Sequence, residues 1–381
     1  MSIGYNHLVT RVRPGAIAHN YKVMNALGGN GCAVIKSDAY GHGLAVAAEA
    51  LAGAGARTVA VGTVGEALDL GRTSFTGRVI ALLGPQLPED YEAAARKGIV
   101  CFCARREQLE KLSEAGVRAG RRVPVALKFD TGMRRLGFPP EEAGRVLEKV
   151  LGLPGVEAVM AASHLAVADD PDQDAFVREQ GARFAAAVSV LRAGGLRVEA
   201  TLANSAAIVA YPELRLDMQR PGIALYGADP FWGTAAQGRG PALEPAMEVL
   251  TRVYQVHDLR QGETISYGRT FTAGRDMRVA IIGAGYADAW SRGLSNRGLV
   301  LLHGLRAPVV GRVCMQMTAV DVTDVPQARA GDRVWLLGGP GENSIRSEEL
   351  AQWWGTISYE VLCLLGLNRR EYILDSPGEN E

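Results

Sequence analysis

The chain has 381 residues, 48% apolar and 22% charged, too many for one ordinary core and the mix of a soluble globular protein, so two domains are expected. Its 41 basic and 41 acidic side chains cancel, and no polybasic run occurs, so neither nucleic acid nor an anionic membrane surface is indicated as a partner. No stretch approaches the ~18 uninterrupted apolar residues of a membrane span, and the start, MSIGYNHLVTRVRPG, holds no signal-peptide core. Five cysteines without an export signal argue against structural disulfides, and no Cys or His spacing matches a zinc site. The expected location is the cytoplasm, and no metal is expected.

From residue 15 to 230, short apolar runs alternate with amphipathic stretches. The predicted strands are Cys32–Lys36, Thr58–Gly62, Val79–Gly84, Ile99–Cys103, Val123–Asp130, Val156–His164, Val198–Asn204 and Leu214–Arg220. Helical patterns lie between them, among them Leu44–Leu51, Pro88–Lys97, Arg105–Ala115, Pro140–Val150 and Asp172–Ala193. Eight strand–helix units are the arithmetic of a (β/α)8 barrel. An open doubly wound sheet would bring a glycine-rich dinucleotide turn after the first strand, and no G-x-G-x-x-G stands there. Phe231–Pro245, rich in Gly and Pro, reads as a linker.

The remainder is strand-like: Val249–Val256, Val279–Ile282, Gly298–Leu302, Pro308–Val313, Thr318–Val322 and Arg333–Leu337, with one amphipathic helix over Glu348–Trp354. The expectation is an α/β fold, with an N-terminal TIM-type (β/α)8 barrel over 1–238 and a C-terminal β-rich domain over 239–381.

Barrel active sites lie at the C-terminal ends of the strands. Read in order, those ends carry Lys36 with Tyr40 and His42 after it, Asp130-Thr-Gly-Met-Arg-Arg135, His164, Asn204-Ser205 and Arg220-Pro-Gly-Ile223. A lysine desolvated there has a lowered pKa and a nucleophilic amine able to form a Schiff base, although a lone lysine in such a loop is more often a surface residue. Backbone N–H groups at helix starts, with the Ser205 hydroxyl, make a phosphate cradle after strands seven and eight. Ser205 as a plain N-cap and Pro221-Gly222 as a plain turn are equally good local readings. A Schiff-base lysine and a phosphate cradle on one rim together suggest pyridoxal phosphate (PLP).

At this point the sequence resembles a known family. AVIKSDAYGHG, KFDTGMRRLG, ANSAA, RPGIALYG, SYGRTF, GYADAWSR, GRVCMQM and SYEVLC are similar, in the same order, to the successive motifs of alanine racemases, and they span residues 33 to 363. The resemblance implies a PLP-bearing barrel, a β domain, and a head-to-tail homodimer in which each active site is shared between the barrel of one subunit and the β domain of the other. The implied reaction is interconversion of L- and D-alanine, supplying D-alanine for peptidoglycan; a serine or broader-specificity racemase is the alternative.

The resemblance also implies roles. Lys36 carries the cofactor and is one catalytic base; Tyr267, from the partner subunit, is the other. Racemisation removes a proton from one face of the substrate and returns it on the opposite face, which two opposed groups do without turning the substrate over. A tyrosine of ordinary pKa, near ~10, is a poor base at neutral pH, and cationic His164 and Arg220 are the expected helpers. Arg220 faces the pyridine nitrogen; it is donor-only and stays protonated, which weakens the electron sink and disfavours transamination. An amino-acid decarboxylase of the same two-domain plan would need an acidic residue there, and a barrel that only handles PLP would lack the second domain and Tyr267.

Tyr40, Ser205, Gly222, Ile223 and Tyr359 are implied around the phosphate and Asn204 and His164 also among the cofactor-binding residues, with Arg135 and the Met315 N–H at the substrate carboxylate. Lys128 matches a lysine that can be carbamylated in relatives and then orients this arginine; an unmodified strand lysine paired with an acid is an equally good reading. Asp169, Tyr286, Arg292 and Arg312 match an entry corridor, and Tyr359 and Ile357 would narrow it toward a small side chain. The sequence departs from the family pattern at Arg134, where glycine is common, at Gln316, where aspartate is common, and over 366–370, which puts the local turn, substrate access and local dimer contacts in question.

Overall fold

The computed structural model describes residues 8–374, which form two compact units. One comprises Ile17–Ala39 and Leu44–Leu243; the other comprises the described residues up to Ala16, Tyr40–Gly43, and the described residues from Glu244 onward. After β1 (Val9–Val12), which belongs to the latter, seven parallel strands build the first unit: β2 (Cys32–Val34), β3 (Thr58–Val61), β4 (Arg78–Ala81), β5 (Val100–Cys103), β6 (Val123–Lys128), β7 (Val156–Ala162) and β8 (Glu199–Thr201). They pair in chain order. β3 and β5 are buried at every position, as strands covered on both faces must be.

The intervening helices carry legible end signals. Pro88–Lys97 has proline at its first position and stops at Gly98 in the left-handed region (φ 67°). Val64–Leu70 opens on a reciprocal cap between Thr63 and Glu66.

The expected eighth strand, Leu214–Arg220, is not a regular strand. Pro212–Leu214 is a 3-10 turn, Leu216 has φ 52°, and Pro221 has no N–H to give to a ladder. Single bridges remain, Met218 to Thr201 and Gln219 to Gly31. Around them, Cys32 N–H donates to Gln219 O (2.7 Å) and Val34 N–H to Pro221 O (2.9 Å), while Arg220 N–H donates to Ala203 O (2.9 Å). Residues 218–221 thus act as an irregular stave bonded to both the first and the seventh strands of the unit.

The other unit is built on β9 (Met247–Leu259), which pairs with β1, β12 (Met277–Ile282) and β16 (Arg333–Leu337). β10 (Thr264–Ile265) and β11 (Phe271–Thr272) form a short hairpin. The sheet also takes in β13 (Leu299–Leu302), β14 (Leu305–Pro308), β15 (Thr318–Asp321) and β17 (Arg370–Tyr372), with β17 lying parallel to β1. β1, expected with the barrel, therefore pairs here. Leu259, Ala273, Met277, Val279, Val310 and Ala319 form a small core on which Ile265 and Phe271 of the hairpin pack.

Two expectations need correction in this unit. Pro308–Val313 is not a strand: β14 ends at Pro308, and Gly311 (φ 76°) turns the chain. A second helix, Ser358–Leu365, follows Ser347–Trp354; its short apolar run shows too little helical period to be read from sequence.

Candidate active site

Ile35 N–H donates to Ala60 O at 2.8 Å, extending β2 to the rim of the seven-stranded unit, and Lys36 follows half-buried. Ser37, Asp38, Ala39 and Tyr40 then all lie in the left-handed region, with φ of 53°, 55°, 56° and 54°. A left-handed turn costs residues bearing a Cβ roughly 1–2 kcal/mol each, so neighbours must hold it. Asp38 Oδ1 accepts from Leu44 N–H (2.6 Å), Ala39 N–H donates to Ile35 O (2.9 Å), and Ser37 N–H is bound by Glu66 (2.6 Å).

Arg220, on the irregular stave, is 5% exposed. Its Nη1 donates to Thr201 Oγ1, and its Nη2 donates to the carbonyl oxygens of Ser163 (2.6 Å) and Leu202 (3.3 Å). These partners are neutral, and burial pulls the guanidinium down only to about 10, which leaves it charged at neutral pH. Thr201 and Ser163 escaped the sequence reading, because hydroxyl residues near strand ends carry no distinguishing pattern.

Around Arg220 stand further basic side chains. Burial, then Arg220 and Arg135, drive the Lys128 amine well below its ordinary value, with Asp130 opposing. Burial, then Arg220, Lys128, Arg135 and Lys36, push His164 well below the ordinary histidine range. Burial among basic side chains thus works against the cationic His164 expected from sequence. Gln180, fully buried, fixes this segment by donating to His164 O (3.2 Å) and Thr131 Oγ1 (3.3 Å) and accepting from Ala166 N–H (2.9 Å).

Asp130 shapes the loop of Arg135. Its carboxylate accepts N–H bonds from Gly132 (2.9 Å), Arg134 (3.0 Å) and Arg135 (3.1 Å). Burial would raise its pKa, but these bonds outweigh it and hold the carboxyl below the ordinary range. Arg134 itself has φ 57°, a conformation that suits glycine. Arg135 is exposed.

Ser205, 3% exposed, starts the helix Ser205–Ala210, which Asn204 caps by accepting from Ala207 N–H (3.1 Å). Ser205 Oγ accepts from Gly222 N–H (2.9 Å) and Ala224 N–H (3.3 Å), so the loops of Asn204-Ser205 and Gly222-Ile223 converge on one hydroxyl whose own hydrogen is available to an anion. These features fit PLP: a hydroxyl-and-backbone cradle for phosphate, a charged arginine without a carboxylate partner among the described residues, and a rim rich in positive charge.

The other unit holds most of the remaining expected residues. Tyr40 and Tyr359 stack with ring centroids 5.9 Å apart, and burial, then Tyr359 and Cys363, raise the Tyr40 hydroxyl pKa far above normal. Tyr267, 70% exposed, follows Ser266 (φ 69°), whose hydroxyl donates to Arg312 O (2.6 Å). Arg312 Nη1 lies 3.0 Å from where a Cβ on Gly268 would stand. Tyr286 N–H donates to Cys314 O (3.0 Å) and Ala287 N–H to Met315 O (2.9 Å), while Val313 N–H donates to Ser295 Oγ (3.1 Å), whose hydroxyl bonds Arg292 O (2.6 Å). Tyr267, Tyr286, Arg292, Arg312 and Met315 therefore sit on stitched loops, with Gln316 exposed beside Met315. Asp169 is an exposed turn residue of the first unit. In the departure over 366–370, Asn368 is buried and donates to Asp288 O (2.9 Å), and Arg370 donates to Gly41 O (3.2 Å), so both serve the chain's own packing.

A family model described as alanine racemase, N-terminal domain, matches residues 12–230, and one described as alanine racemase, C-terminal domain, matches residues 246–372. An alanine racemase of Nitratidesulfovibrio vulgaris (strain Miyazaki F) is 52% identical over 98% of this chain and 100% of its own length. One from Geobacter sulfurreducens is 38% identical over 95% of each chain. The crystal structure of an alanine racemase from Streptomyces lavendulae superposes with a TM-score of 0.89 at 30% identity, covering 97% of this chain and 98% of that one. That of the Bartonella henselae alanine racemase, with covalently bound pyridoxal phosphate, gives 0.86 at 30% identity over 96% and 99%. The chain belongs to the alanine racemase family.

Proposed function

We propose that Lys36 and Tyr267 divide between them the proton transfer of alanine racemisation, with Tyr267 supplied by a second copy of the chain. Interconversion of L- and D-alanine is the family's reaction, and PLP is its cofactor. When bound, PLP supplies an electron sink that acidifies the substrate Cα–H. The protein's part is to hold and move the proton. Lys36 Nζ serves one face of the substrate and Tyr267 Oη the other. Arg220, charged and unable to hand over a proton as a carboxylic acid would, keeps the sink modest and favours prompt return of the proton to carbon.

The observation that carries this reading is Tyr267: a 70% exposed aromatic side chain on a turn fixed by the Ser266–Arg312 bond. A tyrosine held in place yet not packed within its own unit suits a task on a second subunit. Exposed Met315, Met317, Tyr286 and Ile357 in the same unit support a homodimer that covers them.

Tyr40, Ser205, Gly222, Ile223 and Tyr359 are assigned to the phosphate, Arg220 to the ring, Asn204 and His164 to the cofactor, and Arg135 with the Met315 N–H to the substrate carboxylate. Lys128, whose amine burial pushes well below the ordinary lysine range, is suited to carbamylation, which would place a negative charge beside Arg135. Residues 1–238 and 239–381 are taken as the cofactor-bearing and partner-serving domains. No helix among the described residues is long and apolar enough to cross a membrane; we place the enzyme in the cytoplasm, making D-alanine for peptidoglycan.

The test is Tyr267→Phe, which should keep the absorbance of lysine-bound PLP and lose roughly 10²–10⁴-fold in racemisation. Mixing it with Lys36→Ala chains should restore partial activity, since one site of the mixed dimer is then intact. Unchanged turnover in the phenylalanine variant sinks the two-base assignment; no recovery on mixing sinks the shared site.

A further inference from the structure

The Glu66 carboxylate is divided between two tasks. Its Oε2 accepts N–H bonds from Gly62 (2.7 Å) and Thr63 (3.0 Å), and Thr63 Oγ1 accepts from Glu66 N–H (3.1 Å), which together cap the helix Val64–Leu70. Its Oε1 does something the cap does not require. It accepts the Ser37 N–H at 2.6 Å, from the loop that follows the neighbouring strand β2. That N–H belongs to the peptide joining Lys36 to Ser37, and Ser37 is the first residue of the left-handed turn.

The chain contains its own comparison. Helix Pro88–Lys97 is capped from the equivalent position by Asp90, whose Oδ2 accepts from Gln86 N–H (2.9 Å) and Leu87 N–H (3.0 Å), both within its own loop. The extra methylene of Glu66 is what spans from one strand end to the next. Lys36, Ser37, Gly62, Thr63 and Glu66 line one groove at the rim. A backbone turn this strained relaxes unless its peptides are held. A short bond to a charged acceptor is the strong kind of hold.

We propose that Glu66 is a positioning residue for the cofactor lysine. Its Oε1 clamps the Lys36–Ser37 peptide and sets the direction in which the Lys36 side chain leaves the strand, a role that rests on Lys36 bearing PLP. The clamp matters twice, when the amine first captures the cofactor aldehyde with loss of water, and when it stands beside the substrate.

The experiment measures how fast cofactor-stripped full-length chain captures PLP, followed by borohydride reduction and peptide mapping of the labelled lysine. Glu66→Gln keeps the side chain's size. Its single carbonyl oxygen is drawn to the two cap donors, Gly62 and Thr63, leaving an NH2 group facing Ser37 N–H. Glu66→Asp keeps a cap as Asp90 does and falls short of Ser37. Both should slow capture about tenfold or more, since small misplacements of a reacting group are costly, while Asp90→Asn captures at the wild-type rate. Wild-type capture rates in both Glu66 variants, with label on Lys36, overturn the clamp alone. Equal slowing by Asp90→Asn also overturns it, because loosened caps in general would then be the cause. Label on a lysine other than Lys36 in the wild type overturns the cofactor-lysine reading and the clamp with it.

Discussion

Arg220 Nη2 and the carbonyl oxygen of Ser163 lie 2.6 Å apart, and the neighbouring Nη1 donates to Thr201 Oγ1, so both ends of a buried guanidinium are fixed to the wall of its own unit. Thr201→Val keeps the shape and removes one acceptor. A buried charged donor left without its partner costs about 1–3 kcal/mol, and the guanidinium is freed to turn. A lower urea midpoint together with a several-fold lower kcat is the expected result. An unchanged midpoint would mean that Thr201 does not hold Arg220.

His164 ties stability to pH. An unfolded histidine titrates near ~6.5, whereas the folded imidazole resists protonation through burial and its basic neighbours, Arg220 first. Between the two values the unfolded chain binds the extra proton. Stability is therefore greatest above the unfolded value and falls as pH drops through it toward the folded one. His164→Gln removes this term. Its urea midpoint, compared with wild type, should improve on going from about pH 7.5 to about pH 5; a pH-independent difference would exclude the proposed titration.

The barrel could be read from sequence because its strands are short apolar runs and some of its helices carry readable end signals: Pro88 and Gly98 bracket one helix unaided. Leu214–Arg220 failed because its closing role rests on single bridges around a proline, which leave no period to detect. The motif residues were legible as chemistry-bearing types at strand ends. What fixes them was not: Thr201, Ser163 and Gln180 act on Arg220 and His164 through contacts distant in sequence, and the left-handed turn after Lys36 is spelled with Ser, Asp, Ala and Tyr, none of which signals positive φ there. What opposes a charge on His164, burial among basic side chains, is brought together only by the fold.

Lys128 should carry a carbon dioxide adduct. A carbamate forms from a neutral amine with release of a proton, and burial, then Arg220 and Arg135, favour that neutral form well below the usual lysine range. The same cations would stabilise the negative product. The native chain, digested rapidly at alkaline pH or examined by carbon-13 NMR in labelled bicarbonate, should show one carbamate, lost in Lys128→Ala. Adding bicarbonate to a decarbonated wild type should lower KM for alanine more than it changes kcat, because the charge would act on Arg135. No carbamate signal in bicarbonate would remove Lys128 from the site.

Gly41 and Gly366 meet backbone to backbone. A Cβ on Gly366 would stand 2.2 Å from Gly41 O, and one on Gly41 would stand 2.5 Å from Leu362 O, with Gly41 already at φ 83°. Neither obstacle is a flexible side chain, so one segment must move. Gly366→Ala should therefore cost about 1–3 kcal/mol, the usual penalty of overpacking, read as a lower Tm. The displacement falls beside Tyr40, which is 5% exposed and stacked on Tyr359 of the same helix. If those tyrosines hold the phosphate, the variant should bind PLP more weakly, while Leu367→Ala, at an exposed neighbouring position, should do neither. A Gly366→Ala chain with lowered Tm and undiminished PLP affinity would separate the packing from the cofactor and take Tyr40 out of the phosphate site.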